Sequence, residues 1–258
     1  QLNVDIRHLL RYNVSRGWER PGIYEDGSVR VTDTEESLGI IFGADDIRQS
    51  SLEHLARYSV LLRMKKGQHL YREREEIVTV YAVVSGTAAL YKMNAMGEKK
   101  VIFVLGRGSL LNEEILQDLP EPVSCEIMEE ALILAVPRKQ LLALMETDAR
   151  LMRFLFSSQS HKVRRLYRQL KNTTNATRGE KKMAAKLWKL ARDYGKREKD
   201  GVRICLKLTV TQLADMLGTK RETASRQLKV LVEQDLVRYD KNTFVIPEPD
   251  ALNSYFKE

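Results

Sequence analysis

Apolar residues recur at helical spacing twice between residues 209 and 244. Three of them fall on one face of a first predicted helix: Leu213, Met216 and Leu217. Thr209, followed three residues later by Gln212, is typical of a capping box, and Gly218 is typical of the glycine that ends a helix. Thr219 is the predicted N-cap of the next helix. The pattern therefore predicts two short helices joined by a tight turn.

The second predicted helix has one apolar face and one polar face. The apolar residues should pack inward: Ala224, Leu228 and Leu231. The polar residues should face outward: Arg221, Glu222, Ser225, Arg226 and Lys229. Arg bonds guanine bidentately, Glu accepts from cytosine, and Ser and Lys reach bases or phosphates, so this face suits a DNA major groove. A solvated amphipathic helix would show similar charges, but the tight turn and the hairpin predicted next favour DNA binding.

Short β-rich runs flank this helix pair. A two-stranded wing is predicted at Leu236–Tyr239 and Thr243–Ile246, with Asn242 at positive φ in the turn between the strands. Upstream, Ile204–Leu208 predicts a strand, and Gly179–Tyr194 predicts a helix with its own core face. That face should contain Met183, Leu187, Trp188 and Leu190.

The N-terminal half follows a different pattern. From Ser59 to Pro137, short β-rich runs alternate with turns: Leu61–Met64, Leu70–Tyr71, Ile77–Val84, Thr87–Met93, Val101–Leu105, Val123–Met128 and Ala131–Val136. Many short strands with regular turns predict a sandwich or roll. Asp46–Arg57 predicts a short helix. Within residues 1–45, short strands are predicted around Val29, Val31 and Ile40–Phe42, and whether this segment covers the roll or joins a dimer stays open.

A long helical stretch follows the β-rich region. Pro137 is predicted to open a short helix, and the long helix should run from about Asp148 to Lys171. One stripe has heptad-like spacing: Leu151, Leu155, Ser158, Lys162, Leu166 and Leu170. Met152, Phe156, Val163 and Tyr167 lie beside it. A stripe this long predicts pairing with a second copy of the helix, and a helix packed only on its own β-domain is the alternative. The polar stretch Asn172–Thr177 is the predicted hinge.

Charge and cysteine content narrow the function. Residues 161–258 carry 23 Lys and Arg against 12 Asp and Glu, a net charge of +11, whereas residues 1–160 carry 20 against 23, a net charge of −3. The basic half suits a polyanion. Cys125 and Cys205 fall in different predicted domains and, with four dispersed histidines, indicate no disulfide, metal site or cofactor. The cysteine usage fits a reducing cytoplasm. No apolar run approaches the roughly 20 residues of a membrane span, and the N-terminus shows no signal-peptide pattern.

Several stretches resemble one family. Lys220–Arg226 resembles the recognition helix of the cAMP receptor protein/FNR family of bacterial transcription regulators, and Lys66–Glu73 with Val80–Gly86 resembles the family's effector-binding β-roll. The resemblance covers about residues 50–250. It implies an α+β fold with an N-terminal cupin-like, cyclic-nucleotide-binding-like β-roll, a long dimerisation helix and a C-terminal winged helix-turn-helix. The predicted divisions are an extension at 1–45, the β-roll with flanking helices at 46–146, the dimerisation helix at 147–172 and the DNA-binding domain at 173–258.

The resemblance also implies partners. Members are homodimers that bind palindromic double-stranded DNA and respond to a small-molecule effector. The predicted base contacts are Arg221, Glu222, Ser225 and Arg226, and the predicted phosphate contacts are Thr209, Thr211, Lys220, Thr223, Lys229 and Lys241. The dimer helix should contribute Leu151, Leu155, Ser158, Lys162 and Leu166. The family often activates through RNA polymerase, but no residue here establishes that contact.

The resemblance weakens at the effector site. Its predicted residues are Leu111, Asn112, Glu113, Val123, Ser124 and Cys125. Cyclic-nucleotide binders of the family have a Gly-Glu pair and an Arg-Ser pair here. This chain keeps Glu113 but has Asn112 at the Gly position and Val123 at the Arg position. Because an apolar side chain cannot bond a phosphate, losing charge-assisted bonds of roughly 1.5–3 kcal/mol each, the predicted effector is not a cyclic nucleotide.

Other functions remain as alternatives. Arg107 could replace the missing Arg in a cyclic-nucleotide-responsive regulator, and the winged helix could serve protein contacts. Iron–sulfur sensing of the FNR type needs four cysteines, and the chain has two. His69 and His161 are weak haem-ligand candidates, and Cys125 fits a quiet buried thiol better than a redox sensor. With no nucleophile–base pair or cofactor loop, an enzyme is the least favoured class.

Overall fold

A computed structural model describes residues 31–43, 47–94, 97–174 and 179–257. The chain divides into two compact units. The first comprises the described residues up to Lys92 together with Ile102–Leu166, and the second comprises Met93–Val101 and the described part of Tyr167–Glu258. Among the described residues, no helix is both long enough and apolar enough to cross a membrane.

Helices and strands of the N-terminal half follow the predicted order closely. In chain order they are α1 (Val31–Phe42), α2 (Gln49–Tyr58), β1 (Val60–Met64), β2 (His69–Tyr71), β3 (Thr79–Ser85), β4 (Ala88–Met93), β5 (Lys99–Leu105), β6 (Ser124–Ile127), β7 (Ala131–Pro137), α3 (Arg138–Met145) and α4 (Ala149–Thr174). The strands form two sheets, with orders β1-β7-β3 and β2-β6-β4-β5. The predicted α+β class and β-roll are confirmed.

The β1-β7-β3 sheet is buried on both faces. Its antiparallel register pairs Leu62 with Ile133 and Tyr81 with Ala135. These side chains enter the core between the two sheets. Neighbouring residues such as Leu134 point the other way, into a second core beneath the helices. Burial on both faces explains why these strands are almost continuously apolar in sequence.

Helix α1 overturns one prediction. The region around Val31 and Ile40–Phe42 was expected to form strands, and it is a single helix from Val31 to Phe42. Leu38, Ile41 and Phe42 share one helical face and are buried in the helix-side core. The Phe42 ring packs on Phe154 at a centroid distance of 5.2 Å. The strand predicted at Val29 lies outside the described residues.

The start of α4 is tied to α2 by one buried carboxylate. Asp148 accepts from the Ser51 hydroxyl at 2.7 Å and from the Arg48 amide at 3.0 Å, while its other oxygen caps α4 through the Arg150 and Leu151 amides. Burial disfavours the charged form, but these hydrogen bonds outweigh it and lower the pKa of Asp148.

Two predicted boundaries shift along this part of the chain. Pro137 ends β7 and stands at the N-cap of α3, so the helix opens one residue later than predicted. Helix α4 runs to Thr174, through the first part of the predicted hinge at Asn172–Thr177, whose last three residues lie outside the described residues.

The second unit contains a helical cluster and a four-stranded sheet. Its elements are α5 (Gly179–Tyr194), β8 (Gly195–Glu198), β9 (Gly201–Ile204), α6 (Val210–Leu217), α7 (Arg221–Glu233), β10 (Arg238–Asp240), β11 (Thr243–Ile246) and α8 (Pro249–Lys257), and the strand order is β10-β11-β9-β8. Helix α5 has the predicted bounds, whereas α8 was not predicted. Trp188 is half-buried, with its ring 5.9 Å from that of Phe256 in α8.

The strand predicted at Ile204–Leu208 is wrong in position. The ladder occupies β9 and ends at Ile204, after pairing Arg203 with Val245. Buried and exposed side chains still alternate from Ile204 to Leu208. The backbone has left the ladder, however, and the Leu208 amide instead donates to the Asn242 carbonyl at 3.0 Å. The alternating pattern therefore predicted correctly which side chains are buried, but it predicted strand pairing that these residues do not form.

The two helices predicted from residue 209 onward are present as α6 and α7. The Thr209–Gln212 capping box forms as predicted, and Gly218 ends α6 with φ of 66°. Thr219 does not cap α7, because Lys220 occupies the N-cap without a side-chain bond. In the wing turn Asn242 has φ of 65°, as predicted, and Lys241 has φ of 45°.

Candidate functional site

Helix α7 presents a polar surface above a buried apolar face. Ala224, Leu228 and Leu231 are at most 5 % exposed, as their spacing predicted. The four predicted base-contact residues are exposed together on the other side: Arg221, Glu222, Ser225 and Arg226. Burial of one face therefore fixes the orientation of the helix and leaves its hydrogen-bonding side chains available to a ligand.

Most of the predicted phosphate-contact residues are also at the surface. Thr211, Lys220, Lys229 and Lys241 are exposed, and Thr223 is half-buried. Lys229 lies 3.6 Å from Glu233, an exposed pair that gains little from its charges. Thr209 differs, because its hydroxyl accepts from the Gln212 amide at 3.2 Å and lies 3.3 Å from Oε1 of the same residue. That hydroxyl is already used inside the capping box.

The six predicted effector residues lie in the first unit, and five of them are at most 6 % exposed: Leu111, Asn112, Glu113, Ser124 and Cys125. The Asn112 side chain forms hydrogen bonds with backbone groups of β3. Its Oδ1 accepts from the Tyr81 amide at 2.8 Å, and its Nδ2 donates to the Thr79 carbonyl at 2.9 Å. The amide side chain is therefore a structural group, and a glycine there would leave β3 groups without these bonds.

Glu113 is held by the long helix. Its side chain is fully buried, accepts from the Ser158 hydroxyl at 2.7 Å and forms an ion pair with Lys162. Lys162 also donates to the Leu111 carbonyl at 3.2 Å, and Gln159 Nε2 donates to the Glu113 carbonyl at 2.9 Å. Sequence reasoning identified Glu113 but missed Lys162 as its partner. The available signal was a lysine that interrupts an apolar helical stripe.

Apolar side chains and two tyrosines fill the space between the sheets around this segment. The Tyr71 and Tyr81 rings stack at 6.1 Å, and the Tyr71 hydroxyl donates to the Leu111 carbonyl at 3.1 Å. Val123, at the position of the missing arginine, packs half-buried against the same core. Burial raises the pKa of the Cys125 thiol far above its ordinary value, so this thiol resists forming a reactive thiolate.

A second carboxylate near Asn112 has a perturbed charge state. Asn112 Nδ2 donates to Glu121 Oε1 at 2.8 Å. Burial raises the pKa of Glu121 from 4.5 to about 7, and the Asn112 hydrogen bond only partly opposes this effect. Arg138 also holds the segment between Glu113 and Val123, because its guanidinium donates to the Ile115 carbonyl at 2.9 Å and to Asp118 at 2.7 Å.

The two neighbouring sets of apolar residues on α4 differ in burial. Leu151, Leu155 and Lys162 are at most 8 % exposed within one chain, so the stripe predicted for dimer contact instead faces the chain's own β-roll. Leu166 of the predicted set is 38 % exposed. The neighbouring residues remain uncovered: Met152, Phe156, Val163, Tyr167 and Leu170. An uncovered apolar row at 152, 156, 163, 166 and 170 matches heptad spacing.

Comparisons with known proteins agree with this architecture. Residues 61–148 match the cyclic nucleotide-binding domain family, and residues 181–255 match the Crp-like helix-turn-helix domain family. The two matches cover the β-roll and the unit that contains α6 and α7.

Individual relatives match the chain over about two thirds of its length or more. The chain is 26 % identical over 188 residues to a cyclic AMP receptor protein of Thermus thermophilus, covering 72 % of this chain and 83 % of the relative. It is 24 % identical over 181 residues to a cAMP-activated global transcriptional regulator of Haemophilus influenzae, covering 67 % and 77 %. The structure of FixK2 from Bradyrhizobium japonicum superposes with a TM-score of 0.67 at 19 % identity, covering 76 % of this chain and 96 % of that chain, which shows a common fold.

Proposed function

This chain belongs to the CRP/FNR family of DNA-binding transcription regulators, and we propose that it acts as a homodimer on palindromic double-stranded DNA under the control of a small-molecule effector. The observation that carries the proposal is the exposed polar face of α7 above its buried apolar face. A helix supported in this way can enter a major groove without losing its packing. The Haemophilus relative is a transcriptional regulator, which supports a role without catalysis.

Base contacts are proposed for Arg221, Glu222, Ser225 and Arg226, and phosphate contacts for Thr211, Lys220, Thr223, Lys229 and Lys241. Phosphate contacts would position α7, while the base contacts would select the sequence. The basic composition of residues 161–258 supports binding to a polyanion. In a two-fold dimer the half-sites would lie about one helical turn, roughly 34 Å, apart.

The uncovered row of α4 is the proposed dimer contact. Phe156 of this row is 70 % exposed in the single chain, and Tyr167 beside the row is 68 % exposed. Such aromatic side chains bury large apolar areas when two helices pair. Heptad spacing of the row supports a helix pairing with its symmetry mate.

The effector is proposed to be other than a cyclic nucleotide. Val123 offers no cation to a phosphate, and the carboxylate of Glu113 is already paired with Lys162. The Tyr71 and Tyr81 rings stack within the apolar core between the sheets. Isothermal titration calorimetry with cAMP and cGMP checks this point: we expect no submicromolar binding, and a submicromolar affinity for either nucleotide would contradict it.

Selection of DNA from a random duplex pool tests the DNA-binding proposal. The purified full chain should enrich a palindrome, and binding to the enriched site should weaken steeply as salt rises. Enrichment of no sequence over several rounds, both alone and with added metabolite extract, would sink the proposal. Size analysis of the complex should give two chains per duplex.

A further inference from the structure

A cleft of about 330 Å³ opens between α4 and the Leu105–Leu110 segment of the first unit. None of the six effector residues predicted from the sequence lines it. A cleft of this size falls at the lower end of the range for small-molecule sites. Its two walls belong to the β-roll and to the long helix, so a bound molecule would touch both.

Positive charge is concentrated on the helix wall. His161, Lys162 and Arg165 lie within little more than one turn of α4 and line the cleft. None of the described residues that line it is an Asp or a Glu. Lys162 is largely neutralised by its ion pair with Glu113. The cleft therefore owes its uncompensated positive charge to Arg165, and the His161 ring places a further hydrogen-bonding group beside it.

Within the part of the chain that the structure describes, no residue accepts a hydrogen bond from the Arg165 guanidinium, which is held by an aromatic ring instead. Its guanidinium carbon lies 4.6 Å from the Phe103 ring centroid, so the planar group rests on an aromatic face. Among the described residues, no carboxylate forms an ion pair with it. A guanidinium has five N–H donors in a fork that matches a carboxylate or a phosphate. Stacking holds the group in place, which reduces the ordering cost of binding an anion.

Part of the cleft lining is apolar. Leu105, Leu110 and Phe154 contribute to the lining. Leu105 and Leu110 are only 4 % and 2 % exposed, so a ligand with an apolar body would meet a packed apolar surface there and would cover the half-buried Phe154. The combination of one stacked arginine and an apolar wall therefore defines the class of ligand.

We propose that this cleft binds a small organic anion, with the anionic group on Arg165 and His161 and the apolar body against Leu105, Leu110 and Phe154. The inference rests on the proposed function, because it gives the effector a chemical class and a place. Ser158 and Lys162 line the cleft and also hold Glu113. Occupancy of the cleft would thus act directly on the contacts that join the β-roll to α4.

Calorimetric titration of the full chain with naphthoate, naphthyl phosphate and neutral naphthamide tests the proposal. Both anions should bind about tenfold or more tightly than naphthamide, since a charge-assisted bond distinguishes them. Arg165→Gln should remove most of this preference, and Arg164→Gln, a matched change at an exposed neighbour outside the cleft, should retain it. His161→Gln is a second variant, at an exposed position where the change does not disturb packing, and the same titrations measure its preference for the anions over naphthamide.

The affinities for the three ligands, measured on the wild type and the variants, decide whether the inference holds. Tighter binding of naphthoate than of naphthyl phosphate identifies a carboxylate ligand, and the reverse identifies a phosphate ester. Equal affinities for anion and amide, no anion binding, or equal effects of the Arg164 and Arg165 substitutions would overturn the inference. DNA binding by the same preparations separates the two proposals: a wild-type chain that binds its selected site but no anion defeats only the cleft, whereas the reverse defeats only the DNA-binding function.

Discussion

Lys162 of the long helix forms a buried ion pair with Glu113 of the β-roll, and this pair is one of the contacts that join the helix to the β-roll. The lysine also donates to the Leu111 carbonyl, so one ammonium serves two acceptors on the same segment. Burial of both charged groups carries a large desolvation cost, so each charge is stable in the core only while its partner is present.

Removing the cation alone should be costly. Lys162→Met leaves the Glu113 carboxylate buried without its counter-charge, and we expect a loss of about 3–5 kcal/mol in unfolding free energy. Adding Glu113→Gln should recover much of that loss, because the remaining side chains are neutral. Urea unfolding at one fixed chain concentration measures the cycle. A Lys162→Met chain as stable as the wild type, or a strictly additive double variant, would contradict the buried pair.

Glu121 should make stability depend on pH. Its pKa is raised from 4.5 to about 7, so between these values the folded chain holds a proton that the unfolded chain has lost. Stability contributed by this group is therefore present at low pH and falls as the pH rises through 7. Glu121→Gln, which keeps an acceptor for Asn112, should flatten this part of the stability profile. Parallel profiles for the two proteins from pH 4.5 to 7 would show that the carboxyl is not perturbed.

Phe156 should control dimer formation. Phe156→Glu places a charge in the middle of the uncovered row of α4, and the desolvation of that charge opposes helix pairing. Sedimentation analysis should show a shift from dimer to monomer with the fold retained. Arg153→Glu introduces the same side chain at an exposed site outside the row and should leave the dimer intact. Equal behaviour of the two variants would place the dimer contact elsewhere.

Much of this architecture was predictable because local rules agreed with tertiary packing. The capping box at Thr209–Gln212, the glycine at 218 and the positive φ of Asn242 depend on neighbouring atoms within a few residues. Helix α5 could be bounded from its periodicity alone, because one apolar face runs without interruption between turn residues. Such features require no knowledge of the rest of the chain.

Some errors concern which residues contact one another in the folded chain, and others concern the type or the limits of a helix or strand. Periodicity showed that α4 has two apolar stripes, but only the folded chain shows that Leu151 and Leu155 cover their own β-roll while Phe156 does not. The same limit hid the pairing of Lys162 with Glu113, which are 49 residues apart. At Ile204–Leu208, burial alternates as in a strand although the ladder has ended. The short run Ile40–Phe42 suited a strand until the helical spacing from Leu38 was included.

Lys229 should contribute to affinity without contributing to sequence choice. It is exposed on α7 and paired only weakly with Glu233, so a phosphate can replace that partner at little cost. Lys229→Ala should weaken binding to the selected site and to scrambled DNA alike and should reduce the salt slope by about 1. Fluorescence anisotropy over a salt series measures both quantities. A loss confined to the selected site would instead assign Lys229 to a base.

The central claim is that the exposed face of α7 reads DNA sequence, and Arg221→Ala tests it most directly. Affinities of the wild type and the variant should be compared by anisotropy on the selected palindrome and on a scrambled duplex at one salt concentration. We expect the variant to lose about 1–3 kcal/mol on the palindrome and little on the scrambled duplex, with relaxed preference at one base pair of each half-site. Equal losses on both duplexes, or no loss on either, would contradict sequence reading by this face.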